Sequence, residues 1–170
     1  MIQVRAKQAS SRELLDIVRR LVPALSVPVV VNDRADIAIM AGAAGVHLGP
    51  EDLPVAAVRA LAPRSFIIGA SLGSGEEVAS ARGADYVGIG PAFATPSKTD
   101  AGSPLSFEEI ARLQQFAAVP AVAIGGITGA NVRGLLAACP DLDGVAVLSS
   151  LFGARDVESA ARALRAAIGR

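Results

Sequence analysis

The chain has no tryptophan, one tyrosine, one histidine and one cysteine among its 170 residues. A single cysteine, Cys139, cannot close an internal disulfide, so a disulfide scaffold is excluded and a cytoplasmic setting is expected. The usual Cys/His zinc spacing is missing, as are a Ser-His-Asp order and a P-loop. Net charge is absent too. Sixteen Lys plus Arg balance sixteen Asp plus Glu, which argues against bulk electrostatic binding to nucleic acid or to an anionic membrane. No apolar run is long enough to span a bilayer, because Gly, Pro or charge breaks each one. The opening MIQVRAK lacks the apolar core of a signal peptide. Aromatic content is 4% although hydrophobic content is 52%. The apolar mass is therefore Ala, Val, Leu and Ile, which suits β-branched strands covered by Ala/Leu-rich helices. Glycines and prolines are spread along the chain and not gathered in a linker, so residues 1–170 read as a single domain.

The pattern that is present alternates strand and helix. Residues 2–7 alternate apolar and polar and predict a strand, with Gln3, Arg5 and Lys7 on its polar side. Ser10 and Glu13 form a capping-box pair ahead of a helix that should end near Pro23. Residues 27–31 (VPVVV) predict a strand buried on both faces, ended by Asn32 and Asp33. A short helix over 35–41 closes at Gly42, a strand follows at 45–48, and Pro54 opens the next helix. Further strands are predicted at 66–70, 85–90, 120–124 and 144–148, with helices over 76–82, 106–116, 131–138 and 156–168. Ser106 and Glu109 repeat the capping-box pattern.

Seven strands with helical crossovers predict an α/β fold with a parallel sheet. The suggestive polar residues lie where strands end: Asn32 and Asp33, Asp52, Ser71, Thr95 to Lys98, Gly125 and Gly126, Ser149 and Ser150. Contributions from six strand ends, with Gln3, Arg5 and Lys7 on a seventh strand, favour a TIM-type barrel over an open sheet with one crevice. Barrels have eight strands and run to about 250 residues. Residues 1–170 thus read as a barrel domain lacking its first strand–helix unit. The expectation is that the reading frame starts upstream of Met1 or that a partner chain covers the open edge, which admits a homo-oligomer.

Four groups of residues carry the chemistry. The loop GIGPAFATPSKTD (88–100) places Thr95, Ser97 and Lys98 after a strand, which suits a phosphate-bearing ligand but also a solvated loop. Gly125-Gly126 and Ser149-Ser150 follow the last two strands, where barrels commonly cradle phosphate; a simple tight turn is the alternative. Asp33 and Asp52 either hold Mg²⁺ together or cap the helices after them. Arg5, Lys7 and Lys98, with Gln3 beside them, form a cationic side suited to pyrophosphate; a solvated edge strand is the alternative for Arg5 and Lys7. His47, between Val46 and Leu48, reads as a core or supporting histidine with satisfied nitrogens, with a general base as the alternative; Tyr86 reads as packing and Cys139 as structural.

Taken in order, Gln3-x-Arg5-x-Lys7, Val31-Asn32-Asp33, HLGPED (47–52), Gly69-Ala70-Ser71, GPAFATPSKTD, IGGIT (124–128) and Leu148-Ser149 resemble the thiamine phosphate synthase and thiazole tautomerase family. The resemblance runs along the whole chain. It implies a transferase that joins hydroxymethylpyrimidine diphosphate to thiazole phosphate and releases pyrophosphate, with Mg²⁺. It implies Asp33 and Asp52 as metal ligands, and Arg5, Lys7, Asn32 and Lys98 on the diphosphate. It puts Gln3 on the pyrimidine with Ser71 nearby, Thr95 and Ser97 beside the thiazole, and Gly126 and Ser149 on its phosphate. Lys98, Arg5, Lys7 and Ser71 would be the catalytic set. The chain departs from the family pattern at Pro50 (usually Gln), Ala94 (often Pro) and Ser97 (often Thr). A thiazole tautomerase and a non-catalytic phosphate binder are the competing readings.

Overall fold

The computed structural model describes residues 1–95 and 102–169. They form two compact units. The first comprises Met1–Ser71 with Ala79–Tyr86; the second holds Leu72–Val78 and the described residues from Val87 onward.

The first unit carries strands β1 (Ile2–Val4), β2 (Val29–Asn32), β3 (Gly45–Leu48) and nearly all of β4 (Ile67–Leu72), with helices α1 (Ser11–Ala24), α2 (Ala35–Met40) and α3 (Val55–Leu61) between them. The strands pair in parallel and in chain order, with Gln3 opposite Val30, Asn32 opposite His47, and His47 opposite Gly69. Val29, Val30 and Val31 are buried, as a strand covered on both faces requires. The first capping box forms in full. The Ser10 hydroxyl accepts from the Glu13 N–H, and Glu13 Oε2 accepts from the Ser10 N–H at 2.8 Å. Leu14 and Val18 then face inward. Burying each is worth about 1.5–3 kcal/mol, more than the cap itself contributes.

The second unit carries most of β5 (Tyr86–Ile89), then α4 (Phe107–Ala117), β6 (Ala121–Ile124), α5 (Val132–Ala138), β7 (Gly144–Ala146), α6 (Ser149–Phe152) and α7 (Val157–Ile168). Its strands are also parallel and in chain order, with Gly88 opposite Val122 and Ile124 opposite Ala146. Ile110, Leu113, Leu135 and Leu142 fill its core. Cys139 is buried there, and its thiol donates to the Phe107 carbonyl oxygen. Burial, and then the Glu108 carboxylate, push that thiol up from its ordinary pKa, so it packs as a protonated side chain.

Four local expectations change. The strand expected over residues 2–7 ends at Val4, so Arg5 and Lys7 follow it and do not lie on its face. Residues 76–82 do not form an α-helix: a single 3₁₀ turn at Gly75–Val78 is followed by turns. Glu77 folds back to accept from the Gly73 N–H at 2.6 Å, and the chain takes this tighter turn instead. The second capping box forms in part. Ser106 accepts from the Glu109 N–H, but the Glu109 carboxylate meets Arg112, and the Glu108 carboxyl is held low first by its own backbone N–H and then by the Ser106 hydroxyl. The last strand stops at Ala146, so Ser149 and Ser150 open a short helix instead of lying in a loop.

Both units fasten the N-terminal end of a strand with an aspartate. Asp85 Oδ2 accepts from the Ile68 N–H at 2.7 Å and from Arg59 Nη2 at 2.6 Å. Asp143 Oδ2 accepts from the Ala121 N–H at 2.8 Å. These carboxylates satisfy backbone donors at strand starts, which fixes the neighbouring strand's register.

Candidate functional site

The polar residues at strand ends differ in kind from those clamps. Asp33 follows β2 directly and has a left-handed backbone, φ 64°. That conformation disfavours most residues, and Asp is among the few that tolerate it. It is held by the Asp33 N–H donating to the His47 carbonyl oxygen at 2.8 Å. Asp52 lies in the loop after β3, where its Oδ2 accepts from the Gly49 N–H at 2.6 Å. The helices that follow take Arg34 and Pro54 as their caps and receive no side-chain cap from either aspartate. Helix capping therefore does not explain these residues.

The Asp33 carboxyl is pushed above the ordinary carboxylate range, first by burial and then by the Asp52 carboxyl in hydrogen-bonding reach. Lys7 and Arg5 pull in the opposite direction, the cation of each favouring the charged form. Asp52, Lys7 and Arg5 are thus all close enough to act on the Asp33 carboxyl. Asn32, half-buried, ends β2 beside them, while Gln3 is exposed on β1. Pro50 is exposed. Among the described residues no three His, Cys, Asp or Glu side chains converge as a self-contained metal site.

His47 is buried, 8% exposed, and both ring nitrogens are engaged. Nδ1 lies 3.0 Å from the Tyr86 hydroxyl and Nε2 lies 3.0 Å from Ser71 Oγ. The expectation of a satisfied histidine holds. Tyr86 does more than pack, because its hydroxyl is joined to the histidine. Gly69 makes room for it: a Cβ at that position would overlap the Tyr86 ring and hydroxyl.

In the second unit the loop after β6 is built from backbone. Gly125 and Gly126 have φ of 97° and 62°. A Cβ on Gly126 would lie 2.5 Å from the Ala94 carbonyl oxygen. The Phe93 N–H donates to the Gly125 carbonyl oxygen at 3.0 Å, joining this loop to residues 91–94. Asn131 braces it further: Oδ1 accepts from the Thr128 N–H at 2.8 Å and Nδ2 donates to the Gly126 carbonyl oxygen at 3.0 Å. Ser149 is exposed at the start of α6. Ser150 Oγ is buried without a hydrogen-bond partner, the only such side-chain atom among the described residues. Thr95 is half-buried. Ser97 and Lys98 lie outside the described residues.

Sequence reasoning passed over Asn131, read only as a helix start, and underrated Tyr86 and Ser150. The one usable signal was that a chain almost without aromatics places its only tyrosine beside an aspartate at a strand start.

Residues 1–151 match the family model described as thiamine monophosphate synthase. The thiamine-phosphate synthase of Methanoculleus marisnigri is 46% identical over 170 residues, covering 97% of this chain and 80% of that protein. That of Syntrophomonas wolfei is 42% identical with the same coverage. The solved thiamine phosphate pyrophosphorylase from Pyrococcus furiosus superposes with a TM-score of 0.85 at 39% identity, over 98% of this chain and 81% of that one. The fold class is α/β, of the TIM-barrel type, with seven strands among the described residues. No helix among them is long and apolar enough to cross a membrane. The chain belongs to the thiamine monophosphate synthase family, whose members are transferases acting on small-molecule substrates.

Proposed function

We propose that this chain joins hydroxymethylpyrimidine diphosphate to thiazole phosphate, giving thiamine phosphate and pyrophosphate, with groups that lie where its strands end. Family membership supports the reaction, and the meeting of Asp33 and Asp52 beside Arg5 and Lys7 is the observation that carries the site. Two carboxylates in mutual contact, one of them partly buried, form a donor set that a hard divalent cation would relieve. Mg²⁺ is commonly held by one or two carboxylates, with phosphate oxygens and water completing its shell, so the residues fit it. Asp33 and Asp52 would hold the ion, and when bound it would offset charge on the diphosphate.

The remaining work falls to the chain's own groups. Arg5, Lys7, Asn32 and Lys98 hold the diphosphate and stabilise its growing charge as the carbon–oxygen bond breaks and the electron pair leaves with pyrophosphate. Gln3 orients the aminopyrimidine, whose electron-rich ring tolerates the cation left on its methylene carbon. Ser71 donates to the departing group. Thr95 and Ser97 steer the thiazole so that its nitrogen lone pair attacks that carbon. The thiazole phosphate rests on the backbone at Gly126 and on Ser149, and the unpartnered hydroxyl of Ser150 supports an anion there. No protein nucleophile is needed; catalysis is positioning and electrostatics.

A cytoplasmic setting accords with the one buried, unpaired cysteine. A single barrel domain, with a second copy of the chain as partner, belongs to the same proposal. The test mixes both substrates with Mg²⁺ and follows pyrophosphate. Release that needs both substrates supports the synthase. Folded protein that binds thiazole phosphate but releases no pyrophosphate would make the chain a binder or a tautomerase.

A further inference from the structure

Tyr86, His47 and Ser71 form a line of three polar side chains drawn from β5, β3 and β4. A neutral imidazole has one donor and one acceptor nitrogen, so the line must run in one direction. It can run from Tyr86 to Ser71 or the reverse, and the chemistry of the two hydroxyls decides. A phenol is a better donor and a poorer acceptor than an aliphatic alcohol. The phenol therefore gives its proton to the ring, and the alcohol accepts from it.

We propose that Tyr86 is a positioning residue: its hydroxyl donates to His47 Nδ1, which fixes the proton on Nε2. The Nε2–H then donates to Ser71 Oγ, and the Ser71 hydroxyl is left to donate outward to the leaving diphosphate. In the reverse direction Ser71 would spend its proton on the histidine and present only lone pairs to an anion.

Three further observations bear on this. Burial pushes the Tyr86 phenol up to about 12, so it keeps the proton it must donate. Gly69, opposite His47 in the β3–β4 register, supplies the space that the Tyr86 ring occupies; any side chain there would displace it. The rings of His47 and Tyr86 lie 5.5 Å apart at 37°, so the phenol is packed beside the imidazole to which it is hydrogen-bonded. The catalytic meaning of the relay rests on Ser71 facing the diphosphate, as proposed above. Its direction does not.

His47 is the only histidine, so one labelled residue reports the whole arrangement. The experiment records the ¹⁵N-labelled full chain by long-range proton–nitrogen correlation at neutral pH, with and without the Tyr86→Phe change. The wild-type ring is expected as the Nε2–H tautomer. In Tyr86→Phe that preference is lost, and turnover falls about tenfold while both Michaelis constants stay within about twofold. Gly69→Ala, which pushes the ring aside while keeping the hydroxyl, should reproduce both changes. A wild-type ring protonated on Nδ1, or on both nitrogens, overturns the proposal even if the variants fail to fold. So does a Tyr86→Phe protein whose ring signals and turnover are those of wild type. A wild-type spectrum as expected in a protein that releases no pyrophosphate would leave the relay standing and remove the synthase reading instead.

Discussion

Four aspartates do opposite work at opposite ends of the strands. Asp85 and Asp143 sit where strands begin, and each carboxylate accepts from a backbone N–H of the neighbouring strand. Asp33 and Asp52 sit where strands finish, and the Asp33 carboxyl has the Asp52 carboxyl for a neighbour. The side chain is the same in all four cases. What differs is what else the carboxylate meets. Asp85 and Asp143 accept from a neighbouring strand's N–H and are structural, whereas Asp52 accepts from the Gly49 N–H of its own loop and also faces Asp33. Where the fold brings a second carboxylate into a half-buried place, the pair is unfavourable in the bare protein and suited to a cation.

The largest way to break this comparison is Asp52→Asn. Turnover per Michaelis constant for the diphosphate substrate should fall about 100-fold or more, because one of two proposed metal ligands is gone. Steady-state pyrophosphate release measures it. Asp33→Asn should be equally inactive yet more stable in the absence of divalent ions, by about 0.5–1 kcal/mol in chemical denaturation, because the like-charge contact disappears. Inactive protein that is also less stable would place Asp33 with the structural pair.

Asp143→Ala probes the other side. It strands the Ala121 N–H, so stability should drop by about 1–3 kcal/mol, while the folded fraction turns over within about twofold of wild type. Gly126→Ala sharpens a different contrast, between a site made of side chains and one made of backbone. An added methyl meets the Ala94 carbonyl and a positive φ. The Michaelis constant for thiazole phosphate should rise about tenfold, with that for the diphosphate nearly unchanged.

The smallest effect is in pH. Because the folded-state pKa of Asp33 is raised, its contribution to stability is fully present below the ordinary carboxylate pKa. It is lost as pH rises through the higher folded value. Without divalent ions, wild type should therefore lose stability relative to Asp33→Asn as pH climbs out of the acid range. Denaturation midpoints at several pH values check this. The proton and Mg²⁺ compete for the same carboxylates, so the affinity for the ion should weaken as pH falls.

Much of this was legible from the order of residues because it depends on local rules. Ser10 with Glu13 announces a helix start, and 27–31 announces a buried strand, whatever surrounds them. The positions of Asp33 and Asp52 just past strands were readable, but their contact was not: it depends on β2 and β3 being neighbours in register. The same holds for Tyr86, His47 and Ser71, which come from three strands and share no spacing in sequence. The helix expected at 76–82 failed because a back-folding Glu77 outweighed a short run of helix formers. Asn131 was missed because bracing a loop needs no periodicity.

The most direct measurement is the thermal midpoint on adding Mg²⁺ together with inorganic pyrophosphate, compared across wild type, Asp143→Asn, Asp33→Asn and Asp52→Asn. The account predicts the same rise in wild type and Asp143→Asn and none in the other two. An equal rise in all four, or none in wild type, would contradict the assignment of Asp33 and Asp52 to the ion.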